Sequence, residues 1–130
     1  MISTYDAEDI PEELVPRLKQ LTTAGSRVPP EDFGTWGWLD RRVPGTVFVF
    51  EWWDQPVAQL YAARIRPGEV LLGVFVDPAQ RGLGIGTRLL HTCLRHTEPS
   101  MLFRYQAGGK SAMKLFAKIP VERRVEGLRD

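Results

Sequence analysis

A strand, a glycine-rich turn and a helix follow one another between Val74 and Leu90, and this segment constrains the fold more than any other. It reads V-F-V-D-P-A-Q-R-G-L-G-I-G-T-R-L-L, with an apolar stretch before the glycines and a helix-forming stretch after them. Glycines let the backbone approach a ligand closely, and the first amide groups of a helix have no partner within it. The segment therefore predicts a cradle for a phosphate group, such as a pyrophosphate.

Two common glycine-loop types do not fit this spacing. The dinucleotide fingerprint needs G-x-G-x-x-G and an acidic residue about 20 positions later, whereas this chain has G-x-G-x-G and no carboxylate around Arg104. The nucleotide triphosphate loop needs a lysine, which the loop at Gly82 lacks. Gly109-Lys110-Ser111 matches the end of that second motif, but Arg104 occupies its first glycine position. A nucleotide triphosphatase is therefore disfavoured.

The pattern that remains is R-x-x-G-x-G, supplied by Arg81, Gly84 and Gly86 between V-x-V-D-P and T-R-L-L. In these residues the chain resembles the GNAT superfamily of acetyl-coenzyme A dependent N-acetyltransferases. The resemblance implies a single acyl-coenzyme A-binding domain over residues 1–130, of the α/β (α+β) class. It implies a GNAT-like mixed sheet, in which an antiparallel meander precedes a parallel strand pair around the glycine-loop helix, with a shortened C-terminus.

Apolar periodicity predicts the elements of such a fold. The predicted strands are Ile2–Tyr5, Val47–Trp53, Val57–Ile65, Glu69–Val76, Met101–Tyr105 and Val121–Val125. A turn is predicted at Asp54-Gln55, and the helix after the glycine loop ends near Glu98. The strand that follows this helix is predicted to be parallel to the one before it.

The other helices are predicted with less regular patterns. Apolar residues from Ile10 to Leu21 recur at helical spacing, and Asp9 with Glu12 forms a capping box. Pro16 requires that this helix be kinked or start later. An irregular segment, Gly25–Pro44, contains a short helix around Phe33–Leu39, and a last helix includes Ala112, Leu115 and Phe116.

Composition excludes several other classes of protein. With 130 residues and a single cysteine, Cys93, the chain makes one domain without a disulfide framework. It has no apolar run of about 18 residues and no positively charged leader, so we expect a soluble, cytoplasmic protein. Its net charge of +1 gives no reason to expect binding to nucleic acid or membrane. His91 and His96 point away from Cys93 on a helix, so no metal site is expected.

The resemblance implies a site for acetyl-coenzyme A as co-substrate. Backbone groups of the strand before the loop would pair with the pantetheine arm, and amides of the loop would hold the pyrophosphate. The implied cofactor-binding residues are Val74, Phe75, Val76, Arg81, Gly82, Leu83, Gly84, Ile85, Gly86 and Thr87. Arg81 would lock the loop or pair with a phosphate, whereas Arg88 is expected to be solvated.

Transfer to an amine also calls for proton movement. An alkylamine with a pKa near 10.4 must lose a proton before it attacks, so a base is useful. Glu69 is the first candidate, because it opens the strand that leads to the loop; it can equally be an ordinary strand-end carboxylate. Glu51 is a second candidate.

The departing thiolate, whose acid has a pKa near 8.5, has less need of a catalytic group than the amine has. In many relatives a tyrosine closes a short segment that begins with alanine, and here that segment is Ala112-Met113-Lys114-Leu115-Phe116, so the tyrosine position holds Phe116. The asparagine that often stands three residues before that alanine is Gly109. Tyr105 is the predicted substitute, with Tyr61 as a further candidate, and water can also serve.

The leading hypothesis is an N-acetyltransferase in which a primary amine of a small molecule or a protein attacks acetyl-coenzyme A directly in a ternary complex. Few residues follow Pro120, so the acceptor side is expected to be open or completed by a second subunit of a homodimer. Trp36 and Trp38 are either core residues or part of a roof over the acceptor. The alternative hypothesis is a regulatory module that binds acetyl-coenzyme A and acts on a partner protein.

Overall fold

A six-stranded mixed sheet is the centre of the fold in the computed structural model, which describes residues 1–24, 34–105 and 110–126. The strands are β1 (Ile2–Asp6), β2 (Gly45–Trp52), β3 (Gln55–Arg66), β4 (Glu69–Val76), β5 (Leu102–Tyr105) and β6 (Arg124–Glu126). They lie in that order across the sheet. The pairs β1–β2, β2–β3 and β3–β4 are antiparallel, and β5 is parallel to both β4 and β6. The predicted meander followed by a parallel strand pair is confirmed.

Helices cover both faces of this sheet. Within the described residues they are α1 (Val15–Thr23), α2 (Gly34–Arg41), α3 (Ile85–His96) and α4 (Lys110–Phe116). One face, here named the α3 face, packs against α3 and α4 and buries Phe48, Leu60, Leu89, Leu90 and Phe103. The opposite face, the α2 face, packs against α1 and α2 and buries Leu18, Leu39, Val47, Val49 and Tyr61. Alternate residues of β2 thus enter the two cores, as the period of a strand requires.

Helix α1 begins later than the apolar periodicity suggests. The capping box predicted at Asp9 and Glu12 is wrong, because Asp9 lies in a 3-10 turn and the helix starts at Val15 without a side-chain cap. Pro16 explains this start, since proline is accommodated in the first turn of a helix, where its missing N–H is not needed. Of the two alternatives that Pro16 left open, the later start is confirmed.

Three other boundaries differ from the predicted ones. The turn between β2 and β3 lies at Trp53 and Asp54, whose φ angles of +55° and +61° suit a tight hairpin. The predicted strand Val121–Val125 is replaced at its start by a 3-10 turn, closed by a hydrogen bond from the Arg123 N–H to the Pro120 carbonyl. The short helix predicted around Phe33–Leu39 corresponds to α2, although residues 25–33 lie outside the described residues. No described helix combines the length and apolar character needed to cross a bilayer.

Strands β4 and β5 run together over a short distance and then separate. Their pairing joins Glu69 to Leu102, Val70 to Phe103 and Leu71 to Arg104. Beyond Leu71, β4 continues to pair with β3 as far as Val76, whereas its other edge has no strand partner among the described residues. A gap therefore opens beside the second half of β4, on the way to the glycine loop.

Candidate functional site

The glycine loop after β4 has a conformation that depends on glycine. The side chain of Asp77 accepts a hydrogen bond from the Ala79 N–H at 3.0 Å and starts a 3-10 turn over Pro78–Gln80. Gly82 and Gly84 then adopt φ angles of +84° and +75°. Residues with a Cβ rarely enter this left-handed region, so the loop favours glycine at both positions.

Helix α3 begins immediately after Gly84, with its first amide groups directed towards the loop. The first hydrogen bond of the helix runs from the Arg88 N–H to the Gly84 carbonyl, at 3.1 Å. The amides of Ile85, Gly86 and Thr87 precede it and have no partner within the helix. Together with the positive end of the helix dipole, they form a site suited to an anion.

Arg81 contacts the strand before the loop. Its Nε donates a hydrogen bond to the Val76 carbonyl at 3.3 Å, and its side chain also lines the cavity described next. This contact supports the loop-locking role, and contact with a phosphate stays a prediction. Arg88, predicted to be solvated, places its guanidinium over the ring of Phe50, 5.2 Å from the ring centroid.

A cavity of about 960 Å³ extends from the glycine loop along β4 to α2. Its size is in the range of small-molecule sites, roughly 300–1,000 Å³. Helix α4 contributes Lys110, Ser111 and Leu115 to the wall. Nine of the predicted cofactor residues line the cavity: Val74, Phe75, Val76, Arg81, Gly82, Gly84, Ile85, Gly86 and Thr87. Leu83 does not, and its side chain is exposed.

Glu69 lies at the far end of β4 from the glycine loop and is not among the residues that line the cavity. Its Oε2 accepts a hydrogen bond from the Nε of Arg104 at 2.6 Å, and Arg66 lies 3.9 Å away. Both Glu69 and Arg104 are only 6% exposed. The pair joins β4 to β5 in the segment where these strands are still paired. A catalytic role for Glu69 stays a prediction.

Tyr105 packs against Phe116 and is not among the residues that line the cavity. The two rings are stacked with centroids 4.5 Å apart, and it is Phe116 that lines the cavity. Phe116, at the position where the resemblance implies a tyrosine, therefore lines the cavity with a ring that has no hydroxyl. The role of Tyr105 as the acid stays a prediction, and Gly109 lies outside the described residues.

Tyr61 fastens α2 to the sheet. It is fully buried, and its hydroxyl donates a hydrogen bond to the Val43 carbonyl at 2.6 Å, with the Trp38 carbonyl at 3.3 Å. The Trp38 ring meets the Tyr61 ring edge-on, with centroids 5.4 Å apart. Burial raises the pKa of Tyr61 to about 12. These contacts favour a structural role over that of a substitute acid.

Replacing Tyr61 with phenylalanine is expected to lower the free energy of unfolding by about 1–2 kcal/mol at pH 7, because the Val43 carbonyl loses its buried donor. The difference should shrink as the pH rises from 10 to 12. The unfolded tyrosine ionises near its ordinary pKa of 10.0 and the folded one near 12, so the wild type loses stability in this window. Urea unfolding at pH 7 and pH 11 measures both effects; a pH-independent difference would contradict the second.

Of the two tryptophans in the irregular segment, only one lines the cavity, and two further cavity residues were not predicted from the sequence. Trp38 lines the cavity, whereas the Trp36 ring lies 4.2 Å from the Nζ of Lys19. Thr35 and Gly73 also line the cavity, where α2 rests on β4. The helical spacing of Thr35 and Trp38 was the signal available for Thr35, but nothing in the sequence placed α2 against β4.

Cys93 and Glu51 are not among the residues that line the cavity. Cys93 is fully buried in the core of the α3 face, and burial raises the pKa of its thiol to about 12. Glu51, the second candidate base, lies on β2 and is not among the cavity-lining residues. Within the described ranges, no group of three or more His, Cys, Asp or Glu side chains is placed to hold a metal ion.

Comparison with protein-family models matches residues 9–118 to the acetyltransferase (GNAT) family. The chain belongs to this family, as the glycine loop predicts. Comparison with curated protein sequences gives no significant match.

Solved structures of N-acetyltransferases share the fold. The ribosomal-protein-S18-alanine N-acetyltransferase of Escherichia coli is 14% identical, with a TM-score of 0.69 over 92% of this chain and 76% of its own. The ribosomal-protein-alanine N-acetyltransferase of Brucella melitensis is 23% identical, with a TM-score of 0.59 over 90% and 81%. A GNAT family acetyltransferase of Brucella melitensis in complex with acetyl-coenzyme A is 18% identical, with a TM-score of 0.56 over 74% and 68%.

Proposed function

We propose that the protein transfers an acetyl group from acetyl-coenzyme A to a primary amine, as a single domain over residues 1–130. The observation that carries the proposal is the continuity of the cavity from the start of α3 to the edge of β4 that pairs with no described strand. The helix start offers amides to a pyrophosphate. The strand edge offers N–H and C=O groups that can pair with the amides of a pantetheine arm, as an added strand would.

In the proposed reaction the amine attacks the thioester carbonyl directly in a ternary complex. The C–N bond forms and the C–S bond breaks, the amine loses a proton to water or to a base, and the departing thiolate takes up a proton. Deprotonating an alkylammonium at neutral pH costs about 4–5 kcal/mol, so a base has more to contribute than an acid. Glu69 and Tyr105 are the candidates, and both would act through water because neither lines the cavity.

The names of similar structures support the cofactor and the kind of acceptor. One of those structures holds acetyl-coenzyme A, and two are named as N-acetyltransferases of ribosomal-protein alanine. We therefore propose an amine of a protein or of a small molecule as the acceptor.

Calorimetric titration with acetyl-coenzyme A is the first test. We expect one-to-one binding in the micromolar range, about −8 kcal/mol. Transfer would then be measured with phenethylamine, spermidine, a lysine-containing peptide and a peptide with an N-terminal alanine. Absence of binding at millimolar ligand would contradict the proposal. Binding without transfer to any amine would instead support the acetyl-coenzyme A-binding regulatory module.

A further inference from the structure

Among the described residues, the wall of the cavity between α2 and β4 is apolar apart from the Thr35 hydroxyl and the indole N–H of Trp38. Thr35 and Trp38 form the helix side of this wall, and Leu71, Gly73 and Phe75 form the strand side. The other described polar side chains that line the cavity, apart from the indole of Trp38, come from the glycine loop, the start of α3 and α4: Gln80, Arg81, Thr87, Lys110 and Ser111. Thr35 is thus the hydroxyl at the end of the cavity remote from the phosphate cradle.

The Thr35 hydroxyl is directed at β4. A Cβ added to Gly73 would collide with Thr35 Oγ1 and would lie 3.3 Å from Cζ3 of Trp38. Thr35 is 4% exposed, and among the residues that the structure describes its Oγ1 has no hydrogen-bond partner. The hydroxyl therefore lies over Gly73, with its hydrogen-bonding capacity available to a molecule in the cavity.

Gly73 marks the place where the gap between β4 and β5 opens. It is the second residue after Leu71, the last residue of β4 that pairs with β5. From Val76, next to the glycine loop, the strand reaches Gly73 over about 10 Å. A pantetheine arm that runs along this edge from the phosphate cradle would bring its thioester towards Gly73, and hence towards Thr35.

Helix α2 is held firmly enough to fix the hydroxyl in place. The Val43 N–H donates to the Trp38 carbonyl at 3.0 Å, and Tyr61 donates to the Val43 carbonyl. Leu39 is fully buried in the core of the α2 face. A polar group held by a packed helix orients a ligand with little loss of entropy.

We propose that Thr35 positions the acceptor, with its Oγ1 accepting a hydrogen bond from an N–H of the attacking amine. This inference rests on the proposed function. Helices α3 and α4 cover the α3 face, so the acceptor reaches the gap from the α2 face, where Thr35 lies. A neutral primary amine that points its lone pair at the thioester carbon still has two N–H groups. One of them can be held by Thr35 without hindering the attack.

Thr35→Val and Thr35→Ser test this role, because valine keeps the shape and removes the hydroxyl while serine keeps the hydroxyl. The acceptor is the amine from the four-member panel that the wild type acetylates fastest. We expect Thr35→Val to lower kcat/KM for that amine about tenfold, as the loss of one hydrogen bond predicts, and Thr35→Ser to stay within about twofold. The Kd for acetyl-coenzyme A should be the same in all three proteins.

Thr22→Val is the matched control. Thr22 is also buried, but its hydroxyl is bonded to the Lys19 carbonyl at 2.6 Å and it does not line the cavity. This control should lower stability and leave kcat/KM unchanged. Wild-type kcat/KM in Thr35→Val, or an equal loss in Thr35→Ser, would overturn the inference while the proposed function stands. A wild type that acetylates none of the amines overturns both.

Discussion

Gly84→Asp is expected to weaken the binding of acetyl-coenzyme A about 30-fold to 100-fold more than Gly84→Asn does. Both side chains tolerate the left-handed conformation of Gly84, at φ +75°, better than most residues. An added Cβ meets no atom within 4 Å, so either side chain has room. The two variants have nearly the same shape and differ in one negative charge beside the start of α3. At an effective dielectric constant of about 20, a like charge about 6 Å from a pyrophosphate costs about 2–3 kcal/mol.

Calorimetry of the two variants at low and at physiological salt makes the comparison. The ratio of their Kd values for acetyl-coenzyme A should fall with added salt, because mobile ions screen exposed charges. Equal affinities for the aspartate and asparagine variants would mean that the loop does not face the phosphates. Thermal melting of both proteins without ligand checks that the backbone at Gly84 tolerates each side chain equally.

Glu69→Gln is expected to lower the free energy of unfolding by about 3 kcal/mol. The substitution removes the carboxylate that Arg104 contacts at 2.6 Å, in a place where both side chains are shielded from water. Breaking a buried ion pair is costly because the remaining charge stays desolvated. Asp40→Asn is a matched control, since Lys19 contacts Asp40 at the same distance of 2.6 Å but Asp40 is 53% exposed. That exposed pair should contribute less than about 1 kcal/mol.

Urea denaturation of Glu69→Gln, Arg104→Met and the double variant measures the coupling between the two residues. We expect the double variant to lose less stability than the two single losses combined, by about 1–3 kcal/mol. Additive losses would show that the contact contributes little. The same Glu69→Gln protein tests catalysis under conditions where it is fully folded. Retained kcat would assign Glu69 a structural role, whereas loss of kcat with unchanged acetyl-coenzyme A binding would support its role as the base.

The features that depend on neighbouring residues were the ones most predictable from the sequence. The bounds of β4 and the glycine loop after it are local features, because an apolar run and three closely spaced glycines leave few alternatives. The residues of the predicted cofactor site that line the cavity follow from the same short segment. The parallel placement of β5 was predictable because a helix connects it to β4.

Contacts between segments that are far apart in the chain could not be predicted from local sequence patterns. Glu69 and Arg104 are 35 residues apart, and neither lies in a pattern that predicts an ion pair. The contact of Thr35 with Gly73 depends on where α2 settles on the sheet, which periodicity does not specify. The start of α1 was left between two alternatives, because apolar spacing continues from Ile10 through a turn that is not helical and only Pro16 indicated a later start.

The ladder of hydrogen bonds between β4 and β5 is short, and the proposed cofactor would lie beside it. Among the described residues, three residue pairs join these strands. This short contact, here named the β4–β5 seam, attaches β5 and β6 to the antiparallel meander. A pantetheine arm bound along Val74 to Val76 would add hydrogen bonds at the edge of β4 where no described strand pairs with it. We expect amide hydrogen exchange along this seam to slow when the ligand is bound. Occupancy of the site and rigidity of the sheet would then rise together. The concentration of free ligand would therefore set how tightly β5 and β6 are attached to the β1–β4 meander.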